Sequence, residues 1–105
     1  MEFKLLSTSH FDKWFKSIKD KTAKARITAR LMSVQSGHFG DYKSLSENLF
    51  ELRLHFASGY RIYYSVHQNH IILLLLGGDK SSQNRDIEKA KNLLNEWRAE
   101  NDNNN

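Results

Sequence analysis

A chain of 105 residues, 39% hydrophobic and 27% charged, is long enough for one core and too short for two. The absence of cysteine excludes disulfides and thiolate metal sites, in keeping with a reducing cytoplasm. No stretch approaches the roughly 20 apolar residues that cross a bilayer, nothing at the N-terminus reads as an export signal, and a formal charge of +4 suits a polyanionic partner.

Residues 2–6 read as a short first strand. Ser7, Thr8 and Ser9 then offer N-cap oxygens. Phe11, Trp14, Phe15 and Ile18 follow at the spacing of one helical face, an aromatic stripe that reads as core packing. Thr22 is placed to cap a second helix, with Ala23, Ile27, Leu31 and Val34 on one side and Gly37 at its end. Only Asp20-Lys21 separates the two, so an antiparallel helical hairpin is expected. Along it Lys13, Lys16, Lys19, Lys21, Lys24, Arg26 and Arg30 face only Asp12 and Asp20. They read mostly as a solvated helical surface, or else as a diffuse cationic rim towards a large polyanion such as the ribosome. Gly40-Asp41 marks a loop leading to a sheet, and Lys43 sits in that loop, able to fold over the sheet's edge.

From about Phe50 the hydrophobic period changes to two. Strands at 49–56, 60–67 and 70–77, joined by Ala57-Ser58-Gly59 and Gln68-Asn69, predict an antiparallel meander. The run Ile71 to Leu76 is apolar on both sides, which predicts a central strand or a covered second face. Ser81 or Ser82 opens a last helix with Ile87, Ala90, Leu94 and Trp97 at helical spacing. Asn101-Asp102-Asn103-Asn104-Asn105 has nothing to bury and is expected to be a disordered tail, leaving residues 1–100 as a single domain. The order β-α-α-β-β-β-α is an α+β fold: a helical hairpin packed on a small, mainly antiparallel sheet, closed by a C-terminal helix.

Alternation along Gly59-Tyr60-Arg61-Ile62-Tyr63-Tyr64-Ser65-Val66 sends Ile62, Tyr64 and Val66 one way and Arg61, Tyr63, Ser65 and His67 the other. Leu52, Leu54 and Phe56 alternate in the same sense, so an open face is expected to gather Arg53, His55, Arg61 and Tyr63. Cations beside aromatic rings on an exposed sheet suit RNA. A bland alternative for Arg61 is a salt bridge to Glu51 across the sheet. Arginine grips phosphate through paired hydrogen bonds and keeps its charge, while Lys80, where the apolar strand ends, adds a mobile one.

RNA carries its own nucleophile, the 2′-hydroxyl. Metal-free cleavage then needs removal of that proton, stabilisation of the phosphorane-like transition state and protonation of the leaving 5′-oxygen. Arg53 and Arg61 suit the second task and His55 suits proton transfer. Tyr63, or Lys80, is left as the other proton carrier, with stacking as a further role for Tyr63. The five histidines lack a helical H-x-x-x-H spacing, so no metal or other cofactor is expected. Walker-type and serine-elbow motifs are absent from the sequence.

Phe11-Asp12-Lys13-Trp14-Phe15, Lys24-Ala25-Arg26-Ile27, Gly37 to Lys43, Glu51-Leu52-Arg53, Gly59 to Tyr64 and Leu76 to Ile87 together form a recognisable pattern over residues 3–98. The chain resembles toxins of the RelE/ParE superfamily, and within it the HigB-like "addiction module killer protein" branch. The Gly-Gly-Asp-Lys-Ser-x-Gln-x-x-Asp-Ile run is the branch-specific part. The resemblance implies a bacterial toxin with a cognate antitoxin, usually of helix-turn-helix type. It implies entry into the ribosome and metal-independent cleavage of messenger RNA, an endoribonuclease (mRNA interferase) activity that inhibits translation in the cytoplasm. The strand arginine of those nucleases falls on Arg61 and their basic residue after the last strand on Lys80. Arg53 and Lys43 correspond loosely to further RNA-binding residues. The C-terminal tyrosine of some RelE nucleases has no counterpart, since no tyrosine follows Ser82. A ParE-like toxin, which inhibits DNA gyrase by binding without nuclease chemistry, is the alternative. A degenerate member that only partners its antitoxin is a third reading.

Overall fold

The computed structural model describes residues 2–102. In chain order the elements are β1 (Lys4–Ser7), α1 (Ser9–Ser17), α2 (Lys21–Gln35), β2 (Tyr42–Ser46), β3 (Leu49–Arg53), β4 (Arg61–His67) and β5 (Ile71–Gly78). A 3₁₀ turn (Lys80–Ser82) then leads into α3 (Gln83–Asp102). The strands form one five-stranded sheet in the order β1-β5-β4-β3-β2, antiparallel except where β1 runs parallel to β5. The α+β architecture expected from the periodicity is what forms.

Thr8 caps α1: its hydroxyl oxygen accepts from the Phe11 N–H at 3.1 Å and donates to the Leu75 carbonyl at 2.7 Å, which ties the helix start to β5. The cap of α2 is Asp20, not Thr22. Its carboxylate accepts from the N–H groups of Thr22 and Ala23 at 2.9 and 3.2 Å, and a carboxylate also favours the positive end of the helix.

Three further differences have local causes. Residues 42–46 are a strand rather than a loop, paired with β3 through Tyr42↔Leu52, Lys43↔Glu51 and Ser44↔Phe50. As an exposed edge strand β2 has no apolar face, so its sequence carries no period to read. The strand predicted at 49–56 is shorter than its apolar pattern, because β3 ends at Arg53 and the chain turns through Ala57 and Gly59 at φ 51° and 75°. At the other end, α3 takes in Asn101 and Asp102, where composition predicts disorder, with the Asn101 amide donating to the Trp97 carbonyl at 2.8 Å. Residues 103–105 of the expected tail lie outside the described residues.

The sheet is covered on both faces. Phe11 of α1 and Ile27 and Val34 of α2 pack with Leu52, Ile62, Tyr64, Ile72 and Leu74. Ala90 and Leu94 of α3 pack on the other face with Leu49, Tyr63, Leu73, Leu75 and Leu76. Each such aliphatic side chain contributes about 1.5–3 kcal/mol on burial. A bulge opposite Tyr63 and Tyr64 turns both Leu75 and Leu76 towards α3. Gly77 and Gly78 end β5 where both layers press on the backbone. A Cβ on Gly77 would lie 2.1 Å from the Trp14 ring, and one on Gly78 2.0 Å from Asp86 Oδ2.

Candidate functional site

Register sets Arg53 opposite Arg61, and Arg61 opposite Gly78. The next row is Lys43, Glu51, Tyr63 and Leu76. Directly paired residues share a face, so Arg53, Arg61 and Tyr63 do lie on one face, with Lys43 at its edge. That face is not open. The final helix lies over it, leaving Glu51 and Tyr63 0% exposed and Arg61 7%. The physical reason is the stripe Ala90, Leu94, Ile87 and Trp97, whose burial requires a sheet surface. The other surface is already taken by α1 and α2.

His55 departs from the group altogether. Strand pairing stops at Arg53, so the alternation that would carry His55 to the same face stops too. Its exposed side chain pairs through Nε2 with the Asp41 carboxylate and lines a groove beside α2.

Within the covered face, Glu51 accepts from Arg53 Nε on one oxygen and from Gln83 Nε2 on the other, each at 2.8 Å. The buried carboxylate is thus matched on both oxygens, and it raises the Arg53 pKa. A salt bridge from Glu51 to Arg61 does not form.

Arg61 is the anomaly. Its Nη1 donates to the carbonyls of Gly59 and Tyr60 at 3.2 and 3.3 Å, while Nε has no partner. Among the described residues it makes no ion pair. A guanidinium that has shed its water without gaining an anion is costly, and such groups are rare.

The Tyr63 hydroxyl, beside Glu51, is also buried without a hydrogen bond of ordinary geometry. Burial pushes its pKa well up, and the Glu51 and Asp86 charges push it further. From this position Tyr63 offers neither an open ring for stacking nor a proton that leaves near neutrality. That corrects its expected exposure.

Lys80 is exposed on the 3₁₀ turn. Gly59, at φ +75°, lies close to both Lys80 and Arg61: a Cβ there would be 3.4 Å from Lys80 Cβ and 3.7 Å from Arg61 Nη1. Neighbouring motif residues hold α3 down. Asp79 accepts from the N–H groups of Ser81 and Ser82 at 2.9 and 3.3 Å. Ser82 donates to Asp86 directly above Gly78, and Gln83 reaches Glu51. Hydrogen bonds from Ser81 hold the Asp79 pKa below its ordinary value. In the Gly-Gly-Asp-Lys-Ser-Ser-Gln run, then, most side chains fasten the helix and Lys80 projects to solvent.

Sequence reasoning counted Arg30 among the solvated helical cations, and the structure corrects that. Arg30 donates to the carbonyls of Phe39, Arg53 and Asp41 at 2.9, 2.9 and 2.8 Å, and burial lowers its pKa. The signal was present, since Arg30 lies three residues after Ile27 and four before Val34, on the buried side of α2. Among the described residues no three potential metal ligands come together. No described helix is long and apolar enough to cross a membrane.

Residues 13–95 match the family described as Phage derived protein Gp49-like. An uncharacterized protein of Haemophilus influenzae is 43% identical over 96 residues, 91% of this chain and 97% of that protein. Among solved structures, E. coli toxin RelE in the free state, with two arginines replaced by alanine, gives a TM-score of 0.69 at 17% identity over 88% of this chain and 98% of that one. The intact E. coli RelBE toxin–antitoxin complex gives 0.61 at 18% over 73% and 95%. The RelBE2 toxin–antitoxin complex of Mycobacterium tuberculosis gives 0.61 at 13% over 76% and 100%. The likeness shows a RelE-like fold.

Proposed function

The chain belongs to the phage-derived Gp49-like family, and from that premise we propose that it is the toxin of a type II toxin–antitoxin pair, of the HigB-like branch. In this reading it is a ribosome-dependent endoribonuclease that cuts messenger RNA in the cytoplasm without a metal and so stops translation. A cognate antitoxin, of helix-turn-helix type, neutralises it.

The observation that carries the reading is Arg61, 7% exposed and lacking an anionic partner. A phosphate at the mouth beside Gly59 would supply the missing anion. The low dielectric around Arg61 would strengthen its hold on charge that develops during 2′-hydroxyl attack. Lys80 adds a second cation there and is the titratable group left at the mouth for proton transfer. Arg53, its side chain 29% exposed and fixed by Glu51, and Lys43 on the edge of β2 extend the positive field. Tyr63 and His55 do not meet the nucleotide at Arg61 in this reading: one is beneath α3 and the other beside α2.

The test is to induce the wild-type chain and Arg61→Met in bacteria, mapping transcript 5′ ends while pulse-labelling protein and DNA. Codon-phased cuts with early translation arrest, both lost in Arg61→Met, are expected. Early arrest of DNA synthesis with intact messages would instead mark a ParE-like gyrase inhibitor. No arrest of either would leave only a partner of the antitoxin.

A further inference from the structure

A groove of about 370 Å³ lies between α2 and the chain that follows β3, lined in part by Arg26, Arg30, Ser33, His55 and Phe56. It is on the α2 side of the molecule, away from the covered face that holds Arg61. Its walls are fixed. The three hydrogen bonds from Arg30 join α2 to the ends of β2 and β3, and Gly40 admits that guanidinium. A Cβ on Gly40 would fall 2.8 Å from Arg30 Nη2, and φ is +71° there.

Two arrangements in the groove do little for stability. Arg26 is exposed, its guanidinium carbon 4.1 Å from the centroid of the Phe56 ring, and it makes no ion pair among the described residues. A cation–π contact of this kind holds the guanidinium near the ring and consumes none of its N–H donors. Exposed His55 is pinned to exposed Asp41, whose pKa is lowered chiefly by that hydrogen bond. Such a surface pair contributes little to folding, but it sets the ring. With Nε2–H donating to the carboxylate, Nδ1 is left as the ring nitrogen available to a ligand.

We propose that this groove is an RNA-binding subsite separate from Arg61. Arg26 grips a phosphate, the Phe56 ring beside it offers an aromatic surface to a base, and His55 Nδ1 hydrogen-bonds a ribose 2′-hydroxyl. The pairing of an arginine held at an aromatic ring with a histidine held by Asp41 selects the ligand. A ribonucleotide presents phosphate and 2′-hydroxyl together, DNA lacks the hydroxyl, and an acidic peptide lacks the base as well. The subsite goes beyond the toxin reading and requires no cleavage.

Fluorescence anisotropy with the full-length chain tests it, using a labelled ten-nucleotide RNA and the DNA of the same sequence, with each oligonucleotide checked intact on a gel. Arg26→Met is expected to weaken RNA binding about fivefold to tenfold and to reduce the salt slope by about 0.7. Lys19→Met, which removes one exposed cation elsewhere, should change affinity by less than about twofold. His55→Ala is expected to erase the preference for RNA over DNA while sparing DNA affinity.

Equal losses in Arg26→Met and Lys19→Met would reduce the effect to diffuse charge and overturn the proposal. So would displacement by poly-glutamate as effective as by RNA, or no RNA preference in the wild type. The Arg26 effect should persist in an Arg61→Met background. Failure of the wild-type chain to arrest translation, with the Arg26 effect on RNA binding intact, would sink the toxin reading alone.

Discussion

The two faces of the sheet are made from alternate residues of the same strands, and they treat polar groups in opposite ways. Under α1 and α2 the interior is apolar and aromatic, with Tyr64 stacked between Phe39 and Phe50 at 5.9 and 5.3 Å. The arginine that enters from that side, Arg30, gives its donors to three carbonyls. Under α3 the strands carry Glu51, Arg61, Tyr63 and Ser65 into the interior, and two polar atoms, Arg61 Nε and the Tyr63 hydroxyl, stay unmatched. Buried polar groups are almost always paired. Breaches of this rule recur at functional sites, and the proposed function uses the one at Arg61. Both sides bury an apolar cluster, but only the α3 side leaves a buried guanidinium nitrogen without a partner among the described residues.

The largest effects should come from the hinge between the faces. Gly77→Ala drives a Cβ into the rigid Trp14 ring and is expected to cost about 3 kcal/mol, lowering the melting temperature by roughly 10 °C or more. Gly78→Ala meets only the end of the Asp86 side chain, which can rotate away, so about 1–2 kcal/mol is expected. Thermal denaturation of the pair checks the order. Equal costs would mean that α3 is seated as tightly as α1.

The arginines sharpen the contrast. Arg30→Met strips three carbonyls of their donor and should cost about 2–3 kcal/mol in urea unfolding. Arg61→Met removes an unpaired buried charge, so its stability should change by less than about 1 kcal/mol, in either direction. Growth inhibition should nevertheless be lost. Should Arg61→Met unfold the chain, the claim that its charge is uncompensated fails.

Tyr63→Phe deletes a hydroxyl that lacks a hydrogen bond of ordinary geometry and is expected to be neutral or stabilising by up to about 1 kcal/mol. Toxicity should survive, since the proposed chemistry does not use it. A loss of toxicity without a loss of stability would return Tyr63 to the site.

The smallest effect concerns pH. The folded pKa of Asp79 lies below its ordinary 3.8, so its contribution is present above that value and fades as pH falls through the lowered one. Asp79→Asn keeps a capping oxygen and does not titrate. Its stability curve should therefore be flatter than wild type as pH falls below about 4. Matching curves would show that the cap does not depend on the charge.

Much of this was legible without coordinates because the signals are local. Phe11, Ile27, Val34, Ala90 and Leu94 announce their helical faces by spacing, and Ile62 and Tyr64 separate from Arg61 and Tyr63 by alternation. Even the double covering of β5 is written in a run apolar on both sides. What alternation settles is which residues share a face, and Arg53, Arg61 and Tyr63 do. It does not say what lies above them.

That was decided by packing between elements far apart in sequence. The stripe on α3 took the sheet face left free by α1 and α2, closing over Glu51 and Tyr63 and leaving Arg61 at the rim. The exit of the chain from β3 at Arg53 swung His55 round to Asp41, and β2 stayed hidden because an exposed edge strand needs no apolar pattern. Local order is written residue by residue. The site's accessibility depends on which surfaces remain when every apolar stripe has found cover, and only the assembled molecule determines that.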